Sequence, residues 1–239
     1  MGERGRARGL AAVLGLTVVA VAAAARPAPA QEFLDRGTFL IERGGNEVGR
    51  EDFAIRRGPA RAGAGSILAV ATVHYRDREL RPALDLSGDL RPVGYQLDVS
   101  SGGRVVERLS VQFGRGRIGV RLAGQQREVL REFPAALGIA VLDDDVFHQF
   151  YFLPRAASGG VVSLRLLLPR APAIVGGAVR RIGDDTVSVS GRKLPADHFA
   201  LLLDTGEERD FWFTASGDLL RVAIPSREIV ATRTALPPR

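Results

Sequence analysis

The densest group of chemically active side chains in this sequence is the run DDDVFHQFYFLPR, residues 143–155, with three carboxylates, one histidine and four aromatic rings. Carboxylates and imidazoles bind divalent cations, but a calcium loop alternates its oxygen ligands around a glycine, and this run has no glycine. His74, His148 and His198 are far apart in the sequence, so they form no metal-binding pair. We therefore predict no metal and no cofactor, and interpret the aspartates as a helix cap and His148 as a solvent-facing side chain.

A second candidate for chemistry is LLLDTGEER, which contains the Asp204-Thr205-Gly206 triplet of aspartic proteases. Those enzymes need two carboxylates that share a proton. The sequence has one copy of the triplet, so this activity would require a symmetric dimer, and Glu207 stands where such enzymes have a small residue. The other interpretation is a turn that joins the strands HFALLL and RDFWFT. We favour the turn and keep a dimeric aspartic protease as an alternative function.

A third pattern, SGRK at residues 190–193, matches the Ser-x-x-Lys of penicillin-recognising enzymes. Those enzymes place the serine at the start of a helix, whereas Ser190 ends the alternating segment TVSVS, and the companion motifs Ser-Asp-Asn and Lys-Thr-Gly are missing. No GxSxG nucleophile turn occurs either. We predict no catalytic residue and expect a protein that is not an enzyme.

The first thirty residues have the three parts of a secretory signal peptide. Three arginines precede the apolar run 10–25, and Ala28-Pro29-Ala30 fits a cleavage site before Gln31. The run holds about sixteen residues, fewer than the ~18–20 that cross a bilayer, and no later stretch is long and apolar enough. We expect a protein exported to the periplasm or the medium, without a membrane span after cleavage, and a single all-β domain over residues 31–239.

The charge of the chain argues against a nucleic-acid partner. The formal net charge of the whole sequence is +6, from 33 basic and 27 acidic residues. The first thirty residues contain four arginines and one glutamate, so the rest has 29 basic and 26 acidic residues and a net charge of +3. The remaining arginines are scattered among acids, whereas phosphate contacts require clustered basic residues.

Alternation of apolar and polar residues dominates the sequence beyond the leader. Every second residue is apolar in VGYQLDVS, ERLSVQF, RIGVRL and TVSVS, a pattern typical of strands with one buried face. Glycine-containing turns such as RGGN and SGG separate these segments at intervals of about eight to twelve residues. The pattern predicts an all-β fold, a strongly curved antiparallel sheet or incomplete β-barrel of about 10–12 strands.

One segment, residues 143–153, breaks the two-residue period. Its apolar positions have helical spacing; they are Val146, Phe147, Phe150, Tyr151 and Leu153. Pro154 disfavours helix beyond Leu153. The sequence predicts one short helix near 143–153, about 16 Å long at 1.5 Å per residue, which covers the open end of the sheet and is anchored in its core.

Seven of the fifteen aromatic residues lie in two short runs, Phe147–Phe152 and Phe211–Phe213. On a strand Trp212 points away from its two neighbours, and Phe152 lies off the helical stripe. Apolar groups on both faces of a sheet, next to a helix, are the pattern expected of a ligand cavity. We predict Phe150, Tyr151 and Trp212 as ligand-binding residues, with a plainly filled core as the alternative.

The run D-x-x-x-x-x-Y-F-L-x-R (145–155), followed by SGG and the strand VVSLRLLL, resembles a family of exported bacterial proteins of unknown function. The hairpins GGNEVGREDFAI and DFWFTASGDLLRV resemble the same family, so the similarity spans most of residues 37–233. This resemblance implies an unclosed β-barrel similar in architecture to periplasmic lipoprotein carriers. It implies no catalytic residues.

These observations predict an exported, non-enzymatic β-barrel-like protein of the cell envelope that binds a lipophilic ligand in an apolar cavity. The first alternative is an envelope assembly or protein-interaction module that binds another protein through a sheet edge. The second is the dimeric aspartic protease.

Overall fold

The computed structural model describes residues 32–58, 65–125, 128–136, 138–154 and 161–236. These residues form one sheet of fifteen strands. The strands are β1 (Phe33–Arg43), β2 (Asn46–Arg57), β3 (Ser66–Tyr75), β4 (Glu79–Ser87), β5 (Pro92–Ser101), β6 (Arg104–Phe113), β7 (Arg117–Gly124), β8 (Glu128–Pro134), β9 (Ile139–Val141), β10 (Val162–Leu168), β11 (Ala173–Val189), β12 (Arg192–Leu203), β13 (Glu208–Phe213), β14 (Leu219–Ile224) and β15 (Ile229–Arg233).

Two short 3-10 turns have described bounds, His148–Phe152 and Pro225–Arg227. Within the described part of the chain, no helix has the length and apolar character that a bilayer-spanning segment needs. The predicted signal peptide, residues 1–30, lies outside the described residues.

The strand order shows that the sheet curls until its two edges approach each other. β8 and β9 are the edge strands, yet they follow one another in the sequence. A flat sheet of this width would separate them by about 67 Å at ~4.8 Å per strand, whereas the linking residues 135–138 span less than about 18 Å. The described β8 and β9 do not pair with each other, so the barrel stays unclosed. The predicted all-β, incomplete barrel is confirmed, with more strands than the turn signals indicated and with one parallel pair, β9 and β10.

Alternation along the strands places one face of the sheet against the core, as predicted. On β7, Ile118, Val120 and Leu122 are buried while the arginines beside them are exposed. The turn from β1 to β2 uses Gly44 and Gly45 at φ +55° and +77°, a region that glycine enters without the Cβ clash of other residues. Strands and turns in this part of the chain therefore follow from the local sequence.

The segment predicted as a helix is anchored in the interior, which confirms its place in the core. The Phe150 ring packs against Phe211 of β13, with centroids 5.6 Å apart. Its form differs from the prediction, because the helical element here is a 3-10 turn at His148–Phe152 and the residues from Asp143 to Phe147 are not helical. The predicted aspartate cap is wrong, since the N-cap residue of the turn is Phe147 and none of the three aspartates caps it. The aspartates pair instead with arginines that are distant in the sequence.

A second, smaller apolar cluster lies on the opposite face of β13 and β14 from the main core. The β11–β12 hairpin extends beyond the end of β13, and its tip packs on that face. The buried members of the cluster are Val187, Val189, Ala196, Trp212, Leu220 and Ala223. Trp212 donates a hydrogen bond from Nε1 to Asp185 at 2.8 Å and stacks on His198 with ring centroids 4.5 Å apart. The hairpin thus shields an outer face that would otherwise expose these side chains.

A buried ion pair joins β1 to β15, the first and last strands, which are neighbours in the sheet. The guanidinium of Arg233 donates two hydrogen bonds to Asp35, at 2.8 and 3.1 Å, and both side chains are fully buried. Burial raises the pKa of the Asp35 carboxyl, and the hydrogen bonds and charge of Arg233 offset only part of that rise. Removing either member would leave the other charge buried without a partner, which is strongly destabilising.

Candidate functional site

An apolar cavity of about 470 Å³, the seam cavity, lies where the two ends of the curled sheet come together. Strands β4, β7, β9 and β10 and the 3-10 turn all contribute to its wall. Its main apolar side chains are Leu84, Leu86, Ile118, Ile139, Phe152 and Leu164, each at most 7% exposed. Small-molecule sites are typically concave, mostly apolar and ~300–1,000 Å³ in volume. The seam cavity has these properties.

The mouth of the seam cavity is polar. Asp89 and Arg91 belong to its lining, are well exposed, and form an ion pair at 2.9 Å. A larger surface hollow, about 750 Å³, lies over β5, β6 and β7, but exposed charged residues such as Arg108 and Arg121 form much of its wall. Hydrocarbon gains little on such a surface, so the seam cavity is the better candidate for an apolar ligand.

Gln149 is the buried polar side chain in the wall of the seam cavity, with 1% of its surface exposed. Its Oε1 accepts a hydrogen bond from the backbone N–H of Asp143 at 2.7 Å. That donor determines the orientation of the amide, because only the oxygen can accept. The amide nitrogen lies near the Tyr95 hydroxyl, yet it has no hydrogen-bond partner within bonding distance among the described residues. This nitrogen has almost no accessible surface, so Gln149 is a closed-off part of the wall and presents no open donor to the cavity.

Asp143 holds the start of the 143–153 segment against the sheet. It is 1% exposed and accepts hydrogen bonds from the Tyr95 hydroxyl at 2.9 Å and from Arg170 Nε at 2.7 Å. Burial raises the pKa of the Asp143 carboxyl, and attraction to Arg170 offsets only part of the rise. Burial also raises the pKa of Tyr95, and the neighbouring carboxylate adds to that effect. The phenol therefore stays protonated and acts as a hydrogen-bond donor.

The other two aspartates of the run also pair with arginines. Asp145 accepts from Arg170 at 2.8 Å and from Arg78 at 2.9 Å. Asp144 accepts from Arg209 at 2.8 Å and contacts Arg227 at 3.1 Å. Burial raises the pKa of the Asp144 carboxyl, but the two guanidinium groups outweigh burial and hold it below its ordinary value of 3.8. Among the described residues, no three potential metal ligands gather at one point.

Glu51 of β2 anchors the 3-10 turn from the other side. Its carboxylate accepts the backbone N–H of Phe147 at 2.7 Å and that of His148 at 3.1 Å, and it also bonds the His148 Nδ1. Both side chains are completely buried, so the prediction that His148 faces solvent is wrong. The ring of His148 stacks on Phe53, with centroids 5.9 Å apart. The cap of this turn comes from a residue 96 positions away in the sequence, which local pattern cannot reveal.

The three residues predicted to bind a ligand are not brought together. Phe150 and Tyr151 are 1% and 5% exposed in the main core, while Trp212 belongs to the second cluster on the opposite face of the sheet. The neighbouring residues Gln149 and Phe152 line the seam cavity instead. Whether any of the three contacts a ligand stays a prediction.

The two motifs that suggested enzymes both lie in hairpin turns, as predicted. Asp204 is in the turn between β12 and β13. Glu207, in the same connection, forms ion pairs with Arg209 and Arg227 at 2.6 and 3.0 Å. Ser190 is in the turn between β11 and β12, where its hydroxyl donates to the backbone oxygen of Thr234.

Sequence reasoning missed Gln149, Glu51 and the arginine partners of the aspartates. The sequence contained one signal for the buried charges: in two strands a charged residue occupies a position that the alternation assigns to the buried face. Glu51 precedes Phe53 and Ile55 on the buried face of β2, and Arg209 precedes Phe211 on β13. A charge in such a position has to find a buried partner. No comparable signal marks Gln149.

Comparison with known proteins agrees with this architecture. A crystal structure of a beta-barrel-like protein of domain of unknown function DUF1849, from Brucella abortus, is similar with a TM-score of 0.55 and 9% sequence identity, over 88% of this chain and 100% of that chain. At this identity the similarity shows the fold alone. No protein-family model and no curated protein matches the chain.

Proposed function

We propose that this protein is an exported, non-enzymatic binding protein of the cell envelope that holds a lipophilic ligand in the seam cavity. The observation that carries the proposal is an apolar cavity of about 470 Å³ between β4, β7, β9, β10 and the 3-10 turn. Its wall is rich in buried leucine, isoleucine and phenylalanine, which attract hydrocarbon without a directional contact. The residue pattern of the first thirty positions supports export.

The affinity expected of such a site is modest. A ligand chain that buries roughly 300 Å² of apolar surface gains about 7 kcal/mol at ~25 cal/mol per Å², and the entropy of immobilising the chain reduces this. Since a 1 μM dissociation constant corresponds to about 8 kcal/mol, binding should be micromolar or weaker. The probe in a binding assay must therefore be used at micromolar concentrations.

The test is displacement of a fluorescent fatty acid from the purified protein, with a variant that fills the cavity. Leu164 is 6% exposed in the cavity wall, so Leu164→Trp adds bulk where the ligand would lie. Leu202→Trp is the matched control, because Leu202 is 46% exposed and lies outside the cavity lining. We expect saturable binding to the wild type and the control, and at least tenfold weaker binding to Leu164→Trp.

Circular dichroism spectra and urea midpoints of all three proteins establish that the variants are folded. Absence of saturable binding to the folded wild type would rule out the proposal. Equal binding by Leu164→Trp and the wild type would place the ligand elsewhere. Native mass spectrometry of freshly purified protein adds a direct observation, since a co-purified lipid would appear as a mass increment.

A protein-interaction module is the second candidate, because β8 ends the sheet with an edge that no other described strand pairs. Its outward side chains are exposed, including Leu130 at 68%. Such an edge can accept a strand from another protein. Leu130→Lys should then reduce cross-linking to an envelope partner and leave fatty-acid binding unchanged.

A further inference from the structure

The turn between β4 and β5, at the mouth of the seam cavity, contains an apolar residue in a backbone conformation that glycine favours. Leu90 has φ +65°. In this left-handed region the Cβ of an L-residue lies too close to the following carbonyl oxygen, which lowers stability. A bulky apolar residue with positive φ is a genuine outlier, and such strain is concentrated at ligand sites and other functional positions.

Two other hairpins of the sheet contain the same turn with glycine in place of leucine. Between β4 and β5, the backbone N–H of Ser87 donates to the carbonyl of Arg91 and the N–H of Leu90 donates to the carbonyl of Ser87, both at 2.9 Å. The β12–β13 and β13–β14 turns have the same pair of hydrogen bonds, and the positions that correspond to Leu90 are Gly206 and Gly217, at φ +85° and +87°. Glycine enters this region without a steric penalty. The leucine is therefore a departure that the turn itself does not require.

The side chain of Leu90 distinguishes it from the other strained positions. Among the described residues, the remaining non-glycine residues with positive φ are Ser190 and Glu228, which are polar and exposed. Leu90 is half-buried, packs against the main core and lines the seam cavity. Its neighbours Asp89 and Arg91 are exposed at the mouth. Leu90 is thus the apolar residue of this turn, at the boundary between the cavity and water.

The turn is braced by side chains that fix the position of Leu90. The hydroxyl of Ser87 donates to the Asp89 carboxylate at 2.5 Å and lies 3.1 Å from the backbone oxygen of Arg91. The ion pair between Asp89 and Arg91 joins the two residues on either side of the leucine. Hydrocarbon that fills the cavity stays in contact with water at the mouth unless an apolar group covers it there. A leucine held at this position provides that cover, which glycine could not.

We propose that Leu90 is a ligand-contacting residue, which covers the hydrocarbon of a bound lipid where the seam cavity opens to solvent. This inference rests on the proposed function and adds a binding residue at the mouth. It explains why the turn has leucine where its two counterparts have glycine. A leucine that only filled space in the core would affect stability and leave binding unchanged, so stability and affinity must be measured together.

Stability separates the strain of the backbone from the packing of the side chain. In urea unfolding, an alanine variant is normally at least as stable as a glycine variant, because glycine gives the unfolded chain more freedom. At position 90 we expect the reverse order, since Leu90→Gly removes the strain and Leu90→Ala keeps it. Gly206→Ala introduces the same strain into the matched turn, where the new Cβ meets nothing within 4 Å, and should lower the urea midpoint.

Affinity is measured by the fluorescence of cis-parinaric acid, a fatty acid that needs no attached dye. Leu90→Gly and Leu90→Ala should bind it about tenfold more weakly than the wild type, the change expected when roughly 55 Å² of apolar surface is no longer covered. Leu90→Met replaces one apolar side chain with another of similar volume and should bind within about threefold of the wild type. Gly206→Ala should keep the wild-type affinity although it is less stable. Loss of affinity at one turn and loss of stability at the other separate the two effects.

The outcomes also separate the two proposals. If the folded wild type shows no saturable binding of cis-parinaric acid, the proposed function fails and Leu90 has no ligand to contact. If the wild type binds and folded Leu90→Gly binds equally well, the assignment of Leu90 is wrong while the apolar site stands. The assignment is also wrong if Leu90→Met binds as weakly as Leu90→Gly. A Leu90→Gly protein that is less stable than Leu90→Ala would refute the strain on which the inference is built.

Discussion

Removal of the Glu51 carboxylate is the most direct test of how the 143–153 segment is held inside the sheet. Glu51 is completely buried and accepts three hydrogen bonds from the 3-10 turn, two from the backbone N–H groups of Phe147 and His148 and one from the His148 ring. In Glu51→Ala these donors stay buried without an acceptor. In Glu51→Gln one oxygen remains, and the new amide group faces a backbone N–H, so one bond is lost.

The expected magnitudes follow from this count. Each unsatisfied buried donor costs about 1–3 kcal/mol, and the mutant avoids the cost of burying a carboxylate, so the net loss for Glu51→Ala is about 3–5 kcal/mol. Glu51→Gln should lose about 1–3 kcal/mol. A domain with a free energy of unfolding of ~5–15 kcal/mol would keep its fold in Glu51→Gln and lose much of its stability in Glu51→Ala.

The assay is equilibrium unfolding in urea, followed by far-ultraviolet circular dichroism and by the fluorescence of Trp212, the lone tryptophan. The control is Glu47→Gln on the same strand, where the side chain is exposed and the change should stay within about 0.5 kcal/mol. The order expected is wild type and control, then Glu51→Gln, then Glu51→Ala. A Glu51→Ala protein as stable as the control would refute the view that this carboxylate anchors the turn.

Three further predictions follow from individual contacts. Asp143→Asn and Asp144→Asn should show opposite pH dependence in urea midpoints across the acid range. Burial raises the folded pKa of Asp143, so the wild type gains stability over Asp143→Asn as the pH falls through that raised value towards about 3.8, and the difference is constant below it. The folded pKa of Asp144 is lowered, so the stability that its carboxylate contributes is present above about pH 3.8 and is lost as the pH falls further. The advantage of the wild type over Asp144→Asn should therefore shrink at low pH. Parallel curves for the two variants would contradict both assignments. Gly49→Ala should destabilise the fold by about 1–3 kcal/mol in thermal unfolding, because the new Cβ would lie 2.6 Å from a backbone oxygen of β3. The control is Gly119→Ala, whose Cβ would meet nothing within 4 Å, so this variant should be neutral or slightly stabilised.

Several parts of the fold were accessible from local pattern. The buried residues of β7 and the glycine turn between β1 and β2 follow the two-residue period and the glycine positions. The opposition of Trp212 to Phe211 was predictable in the same way, since neighbours on a strand point to opposite faces. The local pattern could not show that the outer face near Trp212 is covered, because the covering hairpin tip comes from β11 and β12.

The candidate site was less predictable. The aspartates at 143–145 have the composition of a helix cap, which is worth ~0.5–2 kcal/mol, but in the fold their carboxylates form charge-assisted hydrogen bonds with arginines. Those partners, among them Arg170 and Arg209, are 27 and 65 residues away from their aspartates in the sequence, so no local window contains both members of a pair. The seam cavity is likewise a product of the curl, since its wall combines residues from Leu84 to Leu164.

The sequence by itself determined the elements of this protein: strands with one apolar face, glycine turns, and a short aromatic segment that belongs in the interior. These features depend on side-chain alternation and on backbone sterics, which act between neighbours in the chain. The tertiary structure alone decided how the sheet curls, which charges are neutralised in the core, and where space is left over. Burial, ion pairing and cavities depend on groups that are distant in sequence, so Glu51 caps a turn at His148 and Phe152 lines a cavity only once the sheet has curled around them.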